Sequence, residues 1–115
     1  MHPIERLRAV ARASSISPAL AVRETAGAMA AVAHDPYALV TAGRRMIDRH
    51  PTSAPLWWFA SRVLTAPDPR AEARRAADEI SEDDTPLELA HALPDGARVC
   101  VLGWPEVTAA ALVRR

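Results

Sequence analysis

The chain has 115 residues, the size of one domain, and half of them are apolar while only 4% are aromatic. Its 14 acidic residues balance 14 basic ones, all of them arginine, and lysine, asparagine and glutamine are absent. That balance excludes nucleic-acid affinity driven by counterion release. The single cysteine excludes an intramolecular disulfide framework and a thiolate zinc cluster. Polar residues interrupt every apolar stretch well short of the roughly 20 residues a membrane span needs, so no membrane segment is expected.

Alanine supplies 25 residues. Alanine-rich helices bury little area each, at about 25 cal/mol per Å², so thin and close helix packing is expected. The arginine-bearing start, Met1 to Arg12, shares the arginine bias of the whole chain and is not read as a transit peptide. No secretory apolar core is present, and a cytoplasmic bacterial protein is the expected setting.

Four pairs set the helix starts. Ser17-Pro18, Asp35-Pro36, Asp68-Pro69 and Thr85-Pro86 each join an N-cap residue to proline at the first helical position. Thr85 and Glu88 also fit a capping box.

In chain order, a short helix near Pro3–Ala13 carries Ile4, Leu7, Val10 and Ala11 on one face. The second, Pro18–Ala33, has a stripe of Val22, Ala26, Met29, Ala30 and Ala33. The third, Pro36–Arg49, uses Leu39, Val40, Met46 and Ile47. Gly43 inside it costs about 1 kcal/mol against alanine, which points to a close helix contact. The fourth runs from about Ser53 to Leu64 with Leu56, Phe59, Ala60, Val63 and Leu64 inward. The fifth covers Pro69–Ser81 and a shorter sixth Pro86–Leu93.

The character then changes. Pro94-Asp95-Gly96 reads as a turn, and Arg98-Val99-Cys100-Val101-Leu102 as a short strand bounded by Gly103. Pro105 opens a last helix, Glu106–Arg115. The expected fold class is therefore mainly α: a helical domain over 1–93, then one β-α unit of an incomplete Rossmann-like domain over 94–115. One strand cannot make a sheet. The expectation is that the chain is the front of something longer, or that the strand pairs with a copy of itself.

Motifs for chemistry are sparse. His2, His34, His50 and His91 form no recognised zinc spacing, and no metal site is expected. His50 precedes Pro51 at a helix C-terminus, where a cation offsets the dipole. Cys100 lies in the predicted strand, where it reads as a buried small hydrophobe. Trp57 and Trp58 point about 100° apart on a helix. One can enter the core while the other lies at an edge, in packing or in a subunit or ligand contact. Arg44-Arg45 with Arg49, Arg74-Arg75 and the acidic run Asp78 to Asp84 read as solvated faces unless arginines converge in space. Gly103-Trp104-Pro105-Glu106 follows the strand where α/β folds bind phosphate, but it lacks a glycine-rich phosphate motif and reads as a plain turn.

Three stretches, in order, resemble one family. His50-Pro51-Thr52-Ser53-Ala54-Pro55-Leu56-Trp57-Trp58 resembles an R-P-T-x-x-x-L-aromatic/Asn helix start, and Val22-Arg23-Glu24-Thr25-Ala26-Gly27-Ala28 an R-G-A-x-A-I segment. Asp95-Gly96-Ala97-Arg98-Val99-Cys100-Val101-Leu102, running on to Ala109-Ala110-Ala111-Leu112-Val113-Arg114, resembles a first strand and helix of a Rossmann-like domain. The family is that of translation initiation factor 2B α/β/δ subunits, methylthioribose-1-phosphate isomerase and ribose-1,5-bisphosphate isomerase.

The resemblance implies a helical domain ahead of a Rossmann-like domain, aldose–ketose isomerisation of a sugar phosphate without a redox cofactor, and homo-oligomers. It also implies arginines of the helical domain on the substrate phosphate. Arg23 matches one of them, and His50 stands where the family has another. Arg44 joins them on helix-face grounds alone. The family's catalytic residues belong to the later domain, so this chain is expected to be non-catalytic and to bind a phosphorylated sugar or nucleotide within a longer parent. The alternative is a non-enzymatic interaction module that self-associates through Trp57, Trp58 and the unpaired strand.

Overall fold

A computed structural model describes residues 2–12, 17–103 and 105–114, with the side chains of residues 9–12 left out. Among the described residues seven helices follow one another: α1 (Pro3–Arg12), α2 (Pro18–Val32), α3 (Pro36–Arg49), α4 (Ala54–Thr65), α5 (Pro69–Ser81), α6 (Thr85–Ala92) and α7 (Glu106–Arg114). Among the described residues no strand forms, and no helix is long and apolar enough to cross a membrane. The chain divides into two compact units, Met1–Ser81 and Glu82–Arg115.

The starts form as the N-cap chemistry requires at three of the four sites. The Ser17 hydroxyl accepts from the Leu20 N–H at 3.2 Å, and the Asp68 carboxylate from the Ala71 N–H at 3.1 Å. Asp35 accepts from both Tyr37 and Ala38. The fourth site differs. Thr85 is already helical and makes no capping box; its N–H and hydroxyl both donate to Asp83, which lies two residues earlier. Those two donors hold the Asp83 carboxyl below its ordinary pKa, the hydroxyl first.

In the first unit α2 is the central helix, packed against α1, α3, α4 and α5. The large buried side chains are Phe59, Met29, Leu56, Val22 and Val63. They concentrate on α2 and α4, at the spacing that places one helix face inward. The side facing α5 is built from Ala26, Ala73 and Ala76. Gly43 does mark a close contact: a Cβ there would lie 3.1 Å from Leu64 Cδ1.

Several expected core positions are corrected. Val40 is exposed, because Leu39, Ala42, Gly43 and Met46 define the inner face of α3 and Val40 falls about 100° from Leu39. Ile4 is exposed while Leu7 packs on the core; Val10 and Ala11 lie outside the described side chains.

In the second unit α6 packs against α7, with Ala90 and Ala111 buried. The Pro94 turn forms as expected, closed by the Ala97 N–H donating to the Pro94 carbonyl at 3.2 Å, with Gly96 at φ 70°. The strand expected over 98–102 does not form: residues 98–101 carry no regular secondary structure, Leu102 lies in a bend, and no strand is present among the described residues to pair with them. Cys100 is consequently exposed rather than buried. Trp104 lies outside the described residues.

The ranking of contributions is testable by urea denaturation. Phe59 is fully enclosed, so Phe59→Ala is expected to cost about 3–5 kcal/mol and to lower the midpoint sharply. Asp35→Ala removes a cap serving two N–H groups and is expected to cost about 1 kcal/mol. A Phe59→Ala loss no larger than that of Asp35→Ala would refute this account of the core.

Candidate functional site

A groove of about 530 Å³ runs between α2 and α5, within the first unit. Its floor is Ala26, Gly27, Ala30, Ala31 and Ala77, and its walls carry Arg23, Arg70, Arg74 and Asp78. The floor follows from the alanine contact: two helices joined through methyl groups leave a shallow furrow that no larger apolar side chain fills. Arg70 and Arg74 are four residues apart on α5 and share a face, separated by a rise of about 6 Å. Arg23 enters from α2.

Among the described residues, none of these three guanidinium groups makes an ion pair or hydrogen bond, and neither does Asp78. At Gly27 the furrow borders α1: a Cβ there would meet the Arg6 guanidinium at 2.9 Å, while Arg6 itself pairs with Glu24 at 3.0 Å.

The opposite flank of α5 is charge-balanced. Arg62 of α4 pairs with both Glu72 and Glu79 of α5, at 2.6 Å to Glu72, and its guanidinium carbon lies 4.8 Å from the Trp58 ring centroid. Arg75 also donates to Glu72. The Arg75 and Arg62 hydrogen bonds hold the Glu72 carboxyl below its ordinary pKa, against a smaller upward effect of burial. Arg62 is held above its ordinary value, chiefly by the hydrogen bond to Glu79. This network ties α4 to α5 and so fixes the rotation of the helix that presents Arg70 and Arg74.

The other residues singled out from the sequence lie elsewhere. His50 is the C-cap of α3, its backbone N–H donating to the Met46 and Ile47 carbonyls, and it does not line the groove. Arg44 is exposed on α3, also outside the groove lining. Trp57 is 51% exposed, and its indole N–H donates to the Pro51 carbonyl at 2.9 Å. Trp58 is half-buried against the core beneath Arg62.

The structure thus brings Arg23 together with Arg70, Arg74 and Asp78, a group the sequence reading did not assemble. The shared face of residues 70, 74 and 78 was available from helical spacing; that it borders Arg23 requires the α2–α5 packing. Among the described residues no cluster of three metal-ligating side chains occurs. No protein-family model, curated protein or solved structure matches the chain.

The Glu72 network has a defined pH signature. A carboxylate whose pKa is depressed by folding stabilises the fold above the ordinary carboxylate range, near pH 4.3, and loses that contribution as pH falls through the depressed value. Wild type is therefore expected to exceed Glu72→Gln in stability at neutral pH, with the difference closing as the solution is acidified. A difference that persists or grows in acid would show that the network does not hold α5.

Proposed function

We propose that this chain is a non-catalytic helical binding module whose α2–α5 groove takes the phosphate of a small phosphorylated ligand. The observation that carries the reading is that three arginines without a partner among the described residues, Arg23, Arg70 and Arg74, line one alanine-floored furrow. Guanidinium groups offer planar forks of donors that match phosphate oxygens, and a concave site keeps several of them on one group. The resemblance to the initiation factor 2B and sugar-phosphate isomerase family supports the same chemistry. It puts Arg23 on a phosphate and suggests a phosphorylated sugar or nucleotide within a longer parent protein. In that parent, segment 98–102 would take its place as a strand beside others, as the first β-α unit of a Rossmann-like domain.

A second reading, self-association of a helical interaction module, is favoured by the apolar side chains left in solvent. Trp57 is 51% exposed, Leu102 95% and Val113 83%. Under this reading Trp57, not the half-buried Trp58, makes the contact between copies. Sedimentation over a wide concentration range is expected to show association weakened by Trp57→Ala. A strict monomer at all concentrations would remove this reading.

Calorimetric titration with ribose 5-phosphate and adenosine monophosphate tests the leading reading. Arg23→Ala and Arg70→Ala are each expected to weaken binding about five- to tenfold, and added salt to weaken it further. Arg44→Ala and His50→Ala are expected to leave it unchanged. A loss at His50 or Arg44 with none at Arg23 would move the site to α3.

A further inference from the structure

The groove has a direction. Along α5 the residues at 70, 74 and 78 lie on one wall and run positive, positive, negative, each step rising about 6 Å. Arg23 adds its charge from α2. Asp78 stands one turn beyond Arg74 yet does not pair with it, and among the described residues it has no other partner. An arginine placed before an acid is the less favourable order for a pair within a helix, which leaves the Asp78 carboxylate available.

The floor between the poles is equally specific. Ala26, Ala30, Ala31 and Ala77 present methyl groups, and the one polar group against the floor, the Arg6 guanidinium beside Gly27, is already paired with Glu24, which leaves little to receive hydroxyl groups on the part of a ligand that crosses Ala30, Ala31 and Ala77. A polyhydroxylated linker gains nothing from this surface, whereas a short alkyl chain gains apolar contact with it.

We propose that the ligand of this groove is an aminoalkyl phosphate. Its phosphomonoester is held by Arg23, Arg70 and Arg74, its short alkyl chain lies on the alanine floor, and its ammonium group pairs with Asp78. The inference rests on the reading of the groove as a phosphate site, and it replaces the phosphorylated sugar or nucleotide suggested by the resemblance with a ligand whose other end is cationic. Asp78 acts here as the residue that sets specificity: it attracts a cationic end and repels a second anionic one.

The test is calorimetric titration of the full chain with 2-aminoethyl phosphate, propyl phosphate and ribose 5-phosphate at one low salt concentration. Propyl phosphate replaces the ammonium by a methyl group and keeps the chain length. Wild type is expected to prefer 2-aminoethyl phosphate over propyl phosphate about fivefold, the upper end for a solvent-exposed ion pair. In Asp78→Asn that ratio is expected to fall to about one. Asp78 is exposed, so the isosteric change is expected to leave the circular dichroism of the fold intact.

Absence of the preference in wild type, its survival in Asp78→Asn, or tighter binding of ribose 5-phosphate would overturn the inference while leaving the phosphate site standing. Binding of all three compounds that is indifferent to Arg23→Ala, Arg70→Ala and Arg74→Ala combined would overturn the phosphate site, and the inference with it. No binding of any of the three would do the same.

Discussion

The contact between α2 and α5 is made of methyl groups, and the rest of the first unit is arranged around that fact. Ala26 on one helix and Ala73 and Ala76 on the other are buried, with Ala30 and Ala77 packed beside them. Small side chains let two backbones approach closely but remove little area from water per residue. The larger share of apolar burial therefore falls to the adjoining part of the same α2 face, where Val22 and Met29 share the core with Leu56, Phe59 and Val63. The domain has a thick side and a thin side, and the groove lies on the thin one. Long arginines flanking a thin contact have no depth of core to cover them, so their guanidinium groups stand in solvent around the furrow.

Charge is divided between the two flanks of α5 in a way that makes the groove unusual for this chain. The flank toward α4 holds Glu72 and Glu79, and both are engaged by Arg62, with Arg75 adding to Glu72. The groove flank holds Arg70 and Arg74, with no acid among the described residues bound to either. The neutral whole-chain charge thus conceals a local excess. The paired flank sets how α5 is rotated about its axis, through a clamp that also packs Arg62 on Trp58. The unpaired flank inherits that rotation. Of the two indoles singled out from the sequence, Trp58 packs beneath Arg62 and so supports the clamp between α4 and α5.

What was legible in the sequence was local. Ser17, Asp35 and Asp68 signal helix starts because a cap oxygen and a following proline act within one turn, without reference to the rest of the chain. Thr85 failed for an equally local reason: Asp83 was available two residues earlier and took both of its donors. The inner faces of α2 and α4 were legible where large residues repeat at helical spacing. In α3 the inner face depends on Ala42 and Gly43, small residues whose burial hydropathy hardly registers, and Val40 was misplaced as a result. The candidate site was half legible. Arg23 stood out by resemblance, and the shared stripe of Arg70, Arg74 and Asp78 by period. Their meeting depends on which alanine faces pack, and an alanine-rich helix gives little indication of that.

The segment after Gly96 shows the limit of pattern reading from the other direction. Arg98-Val99-Cys100-Val101-Leu102 has the β-branched content and the flanking glycines of a strand, yet it is irregular in the fold. A strand, unlike a helix, cannot satisfy its own backbone groups; each N–H and C=O needs a neighbour outside the segment. Residue-level preference can therefore favour a strand but cannot supply the ladder. Val99, Cys100 and Leu102 stay in water, and α6 and α7 pack on each other through Ala90 and Ala111 without a sheet beneath them. Helix-forming information in this chain is complete within each segment, whereas strand-forming information is conditional on a partner. That difference is why the helices appear where the sequence places them and the strand does not.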